Sequence, residues 1–287
     1  TPLCARIVNS DQHSKDYSIL ADKMRPGHAD YAGHVRYQGF NDYRGGGHFS
    51  GRLTAPLVFA GAVAKQALAQ YGIVVGSHIL QINYIKEERF NPMGVSDAEL
   101  AALHTKKFAV MNDAVGEKMQ ERILQAKSEL NSVGGVIEAI ALHLPAGIGA
   151  PYFDSVESML SHALFSVPAV KGVEFGDGFG FAGLTGAEAN DALHYADGKV
   201  QALTNHNGGV TGGITNGMPL VVRAAIKPTP SIAREQQTVS LKEQADTTLA
   251  IVGRHDPCIV QRAVPVIEAV VAWTLWDLLL EAKKWEK

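Results

Sequence analysis

The sequence predicts one mixed α/β (α+β) domain. Two observations carry this expectation. Four short runs of strand character, at 73–85, 136–144, 170–175 and 219–226, are interleaved with apolar segments of helical length. In addition, no Pro-, Gly- or Ser-rich linker divides the chain. With 287 residues, 46% of them hydrophobic, it can bury a sizeable core.

In order, residues 1–24 read as a strand at 3–8 and then a loop, with a polar turn at Asp11, Gln12 and His13. A helix is expected from Thr54, its N-cap, to a stop at Gly72; being apolar almost all round, it should be central. The run at 73–85 alternates like a strand. From 96 to 130, Leu100, Leu103, Phe108, Met111, Val115, Met119 and Ile123 recur at helical spacing among charges, which predicts one surface amphipathic helix or a pair.

Strand 136–144 is followed by a short helix at 155–165 and strand 170–175. The glycines at 176, 178, 180 and 183 match a dinucleotide fingerprint formally, but Thr185-Gly186 interrupts the helix that should follow, so a loop is expected. Residues 204–217 are too rich in glycine and asparagine for regular structure. After strand 219–226, Asp256-Pro257 reads as an N-cap and first-turn pair for a long C-terminal helix, which Pro265 should kink or delay.

Composition excludes several classes. A net charge of −3 offers no general attraction to nucleic acid or to an anionic membrane. Cys4 and Cys258 cannot form a disulfide framework and fit a reducing, cytoplasmic setting. The first 30 residues show no signal peptide, and the apolar run at 263–280 is interrupted by Pro265, Glu268 and Asp277, as in a buried helix. Eleven histidines raise the thought of a metal, but no H-E-x-x-H or C-x-x-C occurs, so no metal site is expected. Gly45–Gly47 lack the Gly-Lys-Ser/Thr of a phosphate-binding P-loop.

Basic residues instead gather at glycine- and proline-rich places. Arg25, His28, Arg44, His48 and Arg52 lie among glycines in 25–52; Asn205, Lys227, Ser231, Arg254, His255 and Asp256 occupy later stretches of the same kind. Cationic side chains beside open backbone amides suit an anionic ligand, above all phosphate. If these stretches converge, they would hold anionic groups and supply a carboxylate and imidazoles for proton transfer.

The runs RPGHADY (25–31), DYRGGGHFSGR (42–52), GDGF (176–179), NGGVTGGITNG (207–217), KPTPSI (227–232) and GRHDPC (253–258) resemble, in order and over nearly the whole chain, the motif series of chorismate synthase. The resemblance implies a fold of antiparallel sheets packed on apolar helices, a homotetramer, and a single domain over 1–287. It implies elimination of phosphate from 5-enolpyruvylshikimate 3-phosphate to give chorismate, dependent on reduced FMN. His28 matches the histidine thought to protonate the reduced flavin, and Asp256 the carboxylate thought to act as base. Arg25, Arg52 and Arg254 match substrate-holding arginines.

Flavin contacts of the family fall on His48, Phe49, Ser50, Pro168, Ala169, Gly212, Lys227, Pro228, Thr229, Pro230, Ser231 and Arg254. Many members have Arg-Ser-Ser where this chain has His48-Phe49-Ser50, so charge at that contact should differ. The family's N-terminal segment, which bears a second catalytic histidine, has no counterpart in this sequence. Feeble turnover is therefore expected if these residues are the whole polypeptide, and the alternative is an FMN- or phosphate-binding chain without turnover. Whether NADP serves to reduce the flavin on this chain stays open at this point.

Overall fold

In a computed structural model, the structure describes residues 2–8, 19–196, 198–251 and 256–283. The elements in chain order are α1 (Asp30–Arg36), α2 (Thr54–Ala69), β1 (Val74–Ile82), β2 (Ile85–Lys86), α3 (Asp97–Thr105), α4 (Asp113–Ser128), β3 (Gly135–Leu142), α5 (Val156–Ser166) and β4 (Val170–Phe175). Then follow β5 (Leu193–Ala196), β6 (Lys199–Ala202), β7 (Val210–Thr211), β8 (Ile214–Thr215), β9 (Leu220–Ile226), β10 (Gln236–Ser240), β11 (Ala245–Leu249) and α6 (Val260–Lys283). Short 3-10 turns fill Arg44–Phe49, Gly51–Leu53 and Gly178–Gly183.

One antiparallel sheet of order β2-β1-β3-β9-β4 organises the molecule, as the expected antiparallel sheet packed on apolar helices. Alternate residues divide its faces. Val75, Ile79, Ile137, Ala139, Leu220, Val222 and Ala224 bury against α5 and α6. Ile140, Leu142 and Val221 bury beneath Leu100 and Leu103 of α3 and beneath Phe90. Each valine, leucine, isoleucine and phenylalanine among them contributes roughly 1.5–3 kcal/mol when fully buried, and the alanines less.

The α3 face also carries a row of charge that follows from strand register. His78 pairs opposite Glu138, Glu138 opposite Arg223, and Glu174 opposite Arg223. His78 Nδ1 meets Glu87 Oε1 at 2.5 Å and its Nε2 meets Glu138 Oε2 at 3.1 Å, with all three side chains buried. Arg223 closes the row on Glu138 at 3.4 Å and on Glu174 at 2.9 Å. Burial works to lower the His78 pKa; hydrogen bonds and charge from the two glutamates outweigh it and raise it. An unpaired charge so deep would be costly, and the pairing is what permits it.

Several expected elements are corrected. Residues 3–8 form no strand and lie exposed. Of the two alternatives expected for 96–130 the pair holds, with α3 started by a Ser96–Glu99 capping box and α4 by Asn112. Thr54 is the first residue of α2 rather than its cap; Ser50 caps the preceding turn by accepting from the Arg52 amide. Asp256 caps nothing in α6, which starts at Val260, and instead accepts from the Cys258 amide. The 204–217 stretch contains the small β7–β8 pair.

Helix α2 is less central than its composition suggests. It crosses α6 so closely that a Cβ on Gly61 would sit 2.2 Å from Ala269 Cβ. Small residues are needed on that side, so Phe59 and Val63 face outward at 38% and 40% exposure. Helix α6 is long and apolar enough to cross a membrane, yet 67% of its apolar window is buried against the sheet and α2. That is the core helix its interruptions predict.

Candidate active site

At one end of α5 and β4 a cavity of about 480 Å³ is lined by residues distant in sequence: 27–29, 48, 49, 51, 165–170, 227 and 229–231, with Ile259. Its size lies within the range of small-molecule and cofactor pockets, about 300–1,000 Å³. Strand order places these segments together. β9 ends at Ile226 beside the start of β4 at Val170, and the Lys227 amide donates to the Ala169 carbonyl at 2.9 Å. Ala169 stands in the left-handed region at φ 76°, which turns the chain from α5 into β4. Gly27, at φ 70°, brings the 25–30 loop against Pro230, and the Lys227 ammonium donates to the Gly27 carbonyl.

The lining joins apolar surface (Phe49, Phe165, Val167, Pro168, Ile259) to His28, His48 and Lys227, and contains no carboxylate among the described residues. Thr229 Oγ1 is buried there without a hydrogen-bond partner, while its carbonyl is held by the Ser132 hydroxyl at 2.6 Å. An orphaned hydroxyl, a nearby ammonium and two imidazoles fit a phosphorylated ligand; the apolar wall fits a planar ring.

Beneath this floor lies a buried ionic group. Arg25, only 8% exposed, grips Asp30 through Nε at 2.7 Å and Nη2 at 2.8 Å, and its Nη1 donates to Ser231 Oγ at 3.2 Å. His28 Nδ1 lies 2.6 Å from Asp30 Oδ1. Burial acts to raise the Asp30 pKa, but the Arg25 and His28 hydrogen bonds and charges outweigh it and hold the carboxyl far below the usual range. The other side of the His28 ring faces the 44–49 turn, since a Cβ on Gly46 would come 3.7 Å from Nε2 and from Ser50 Cβ.

Of the residues singled out in the sequence, His28, His48, Phe49, Pro168, Ala169, Lys227, Thr229, Pro230 and Ser231 line this one cavity. Arg25 reaches its edge through Ser231 and His28. Ser50 and Arg52 stand beside the lining residues Phe49 and Gly51, with the Arg52 guanidinium 3.4 Å from Ser50 Oγ. Pro228 is exposed between two lining residues. Asp256 is not among the lining residues; its Oδ2 is paired with Arg262 Nε at 3.1 Å. Beside it, burial pushes the Cys258 thiol up to about 11, which keeps it from acting as a thiolate.

Gly212 is elsewhere. It sits on the β7–β8 turn next to Gly213, which abuts Ser155 at the opposite end of α5, about 16 Å along an eleven-residue helix. Arg254 and His255 lie outside the described residues, as does His13. Sequence reasoning assigned no role to Asp30, Phe165 or Ile259. Asp30 was signalled by its place two residues after His28 in the RPGHAD run; the other two had no local signal, because only packing brings them to the wall.

A family model described as chorismate synthase matches residues 1–280. Chorismate synthases of Pyrococcus abyssi and Thermococcus kodakarensis are each 46% identical over 286 residues, spanning 100% of this chain and 78% of theirs. That of Dehalococcoides mccartyi is 44% identical, over 98% of this chain and 76% of its own. A crystal structure of chorismate synthase superposes with a TM-score of 0.71 at 30% identity, covering 88% of this chain and 70% of that one. The motif series, the fold and these relatives agree, and the chain belongs to the chorismate synthase family.

Proposed function

We propose that the cavity between the 25–31 loop and the 227–231 loop binds reduced FMN together with 5-enolpyruvylshikimate 3-phosphate. As a carbon–oxygen lyase, the protein breaks the bond to phosphate, a ring hydrogen leaves as a proton from the opposite face, and the new double bond completes chorismate. Reduced FMN, when bound, lends electron density as the C–O bond breaks, with no net redox change. The observation that carries this reading is the convergence of four distant segments on one cavity with three basic side chains, an unpartnered buried hydroxyl and no carboxylate among the described lining residues.

The chain's own residues have distinct tasks. Lys227, Thr229 and Ser231 bind phosphate oxygens, while Phe49, Val167, Pro168 and Ala169 exclude water and orient the ring system. His28, whose side chain lines the cavity, holds a proton at Nε2, and Asp256, paired with Arg262, accepts the departing ring proton. Arg52 at the rim, with Arg25 beneath and Arg254, supplies positive charge toward the substrate phosphate. His48 takes the place of the arginine common in the family, so an imidazole rather than a guanidinium meets the ligand there.

A homotetramer is part of the same proposal. Exposed Phe153, Phe179 and Tyr195 need cover, and Gly212 meets the flavin of a neighbouring copy rather than its own. Family membership supports NADP-linked flavin reduction; the unpaired Cys4 and Cys258 support a cytoplasmic setting. Anaerobic turnover with reduced FMN, oxidised FMN and no flavin tests the function. Chorismate forms with reduced FMN alone; equal formation without flavin contradicts the reading, and flavin binding without chorismate favours a binding chain.

A further inference from the structure

We propose that Asp30 is a positioning residue that fixes the tautomer of His28, holding a proton on Nδ1 and leaving Nε2 as the nitrogen that exchanges. This deepens the reading of His28 above and rests on it.

An ionised carboxylate only accepts hydrogen bonds. With Oδ1 2.6 Å from His28 Nδ1, that nitrogen must be protonated, because two lone pairs would otherwise meet at contact distance. Nε2 is then the nitrogen that exchanges its proton. Arg25 Nη2 also lies 3.1 Å from Nδ1, which by itself would allow the opposite tautomer, with Nδ1 accepting from the guanidinium. Oδ1 decides between them, since it draws in both donors: Nη2 at 2.8 Å and Nδ1–H. Oδ2 is occupied by Arg25 Nε at 2.7 Å and by the Arg25 backbone N–H at 3.1 Å.

The carboxylate is thereby fixed in place and stays ionised. Loss of the Nε2 proton leaves a neutral Nδ1–H ring beside an unchanged Arg25–Asp30 pair. Ser231, on the other arm of Arg25, ties the same unit to the phosphate-binding loop.

Asp30→Asn tests this sharply. Two Arg25 donors sit at Oδ2 and one at Oδ1, and none can accept, so the new amide nitrogen takes the Oδ1 site at the cost of the Nη2 contact alone. There it donates to Nδ1, and His28 is driven into the Nε2–H tautomer. Ring 15N shifts of histidine-labelled protein report the tautomer without turnover or flavin. Wild type is expected with Nδ1 protonated and Nε2 as the exchanging nitrogen, and Asp30→Asn with Nδ1 bare and the proton on Nε2. A wild-type ring with Nδ1 bare overturns the proposal, even if the variant does not fold, and so does an unchanged ring in a folded variant.

In turnover, Asp30→Asn should lower kcat about 10- to 100-fold with KM and reduced-FMN affinity changed less than about threefold. It should cost nothing further in a His28→Ala background, where a merely structural loss would still appear. If no turnover occurs in any form, the reading of function fails while the tautomer result still stands on its own.

Discussion

Gly33→Ala turns on a single contact behind the cavity wall. Gly33 lies in α1 with its Cα against the Phe49 ring, and an added Cβ would come 2.6 Å from Cε2 and 3.0 Å from Cζ. Carbon atoms at optimal contact are about 3.5–4.0 Å apart, so the ring edge must retreat by about 1 Å. Phe49 is part of the cavity lining, and retreat from α1 takes it into the space the flavin would fill. Overpacking of this kind costs about 1–3 kcal/mol, whereas Gly to Ala within a helix returns roughly 0.5–1 kcal/mol.

Folding stability should therefore change little, because the ring can move into open space in the unliganded protein. The cost appears on binding instead, as about a tenfold weaker Kd for reduced FMN, equivalent to about 1.4 kcal/mol. Anaerobic titration of flavin fluorescence measures it, and thermal unfolding supplies the control. In a Phe49→Ala background the substitution should have no effect on affinity. Unchanged affinity in Gly33→Ala with a lowered Tm would refute the placement of Phe49 as a wall of the flavin site.

The buried charge row predicts a pH dependence. His78 is raised above its ordinary 6.5, so its charged form stabilises the fold fully below that value and the contribution fades as pH rises through the folded pKa. His78→Gln should cost about 3 kcal/mol or more at low pH, with the gap to wild type narrowing upward in urea unfolding; a gap independent of pH would contradict it. His28→Ala and Asp256→Ala should each cut turnover by about two orders of magnitude with the fold intact by circular dichroism, and unchanged turnover removes the role concerned. Lys227→Met should weaken reduced-FMN binding about 10- to 100-fold in the same fluorescence titration, since it removes a charge-assisted phosphate contact; unaltered binding would place the phosphate elsewhere.

Much of the framework was readable from local pattern. The strands at β1, β3, β4 and β9 announce themselves by β-branched, apolar runs, and α3 and α4 by helical spacing with Ser96 and Asn112 at their starts. What failed was whatever depended on partners. Leu3 to Val8 has strand composition but no neighbouring strand in the described structure. Asp256-Pro257 has the chemistry of a cap, yet the chain turns through Cys258 before α6 begins.

The His78–Glu138–Arg223–Glu174 row is invisible in sequence because it exists only once three strand registers are set. The site shows the same division. Resemblance pointed to most of the cavity lining, since those residues sit in distinctive runs. It could not show that Arg25 is engaged by Asp30, nor that Gly212 stands at the far end of α5. Both are facts of three-dimensional placement.

A crystal structure of the protein grown anaerobically with reduced FMN measures the central claim directly. The account predicts flavin density against Phe49, Pro168 and Ala169, its phosphate within hydrogen-bond reach of Lys227 and Thr229, and His28 Nε2 facing the ring. Ordered flavin bound at another surface, with this cavity empty, would contradict it.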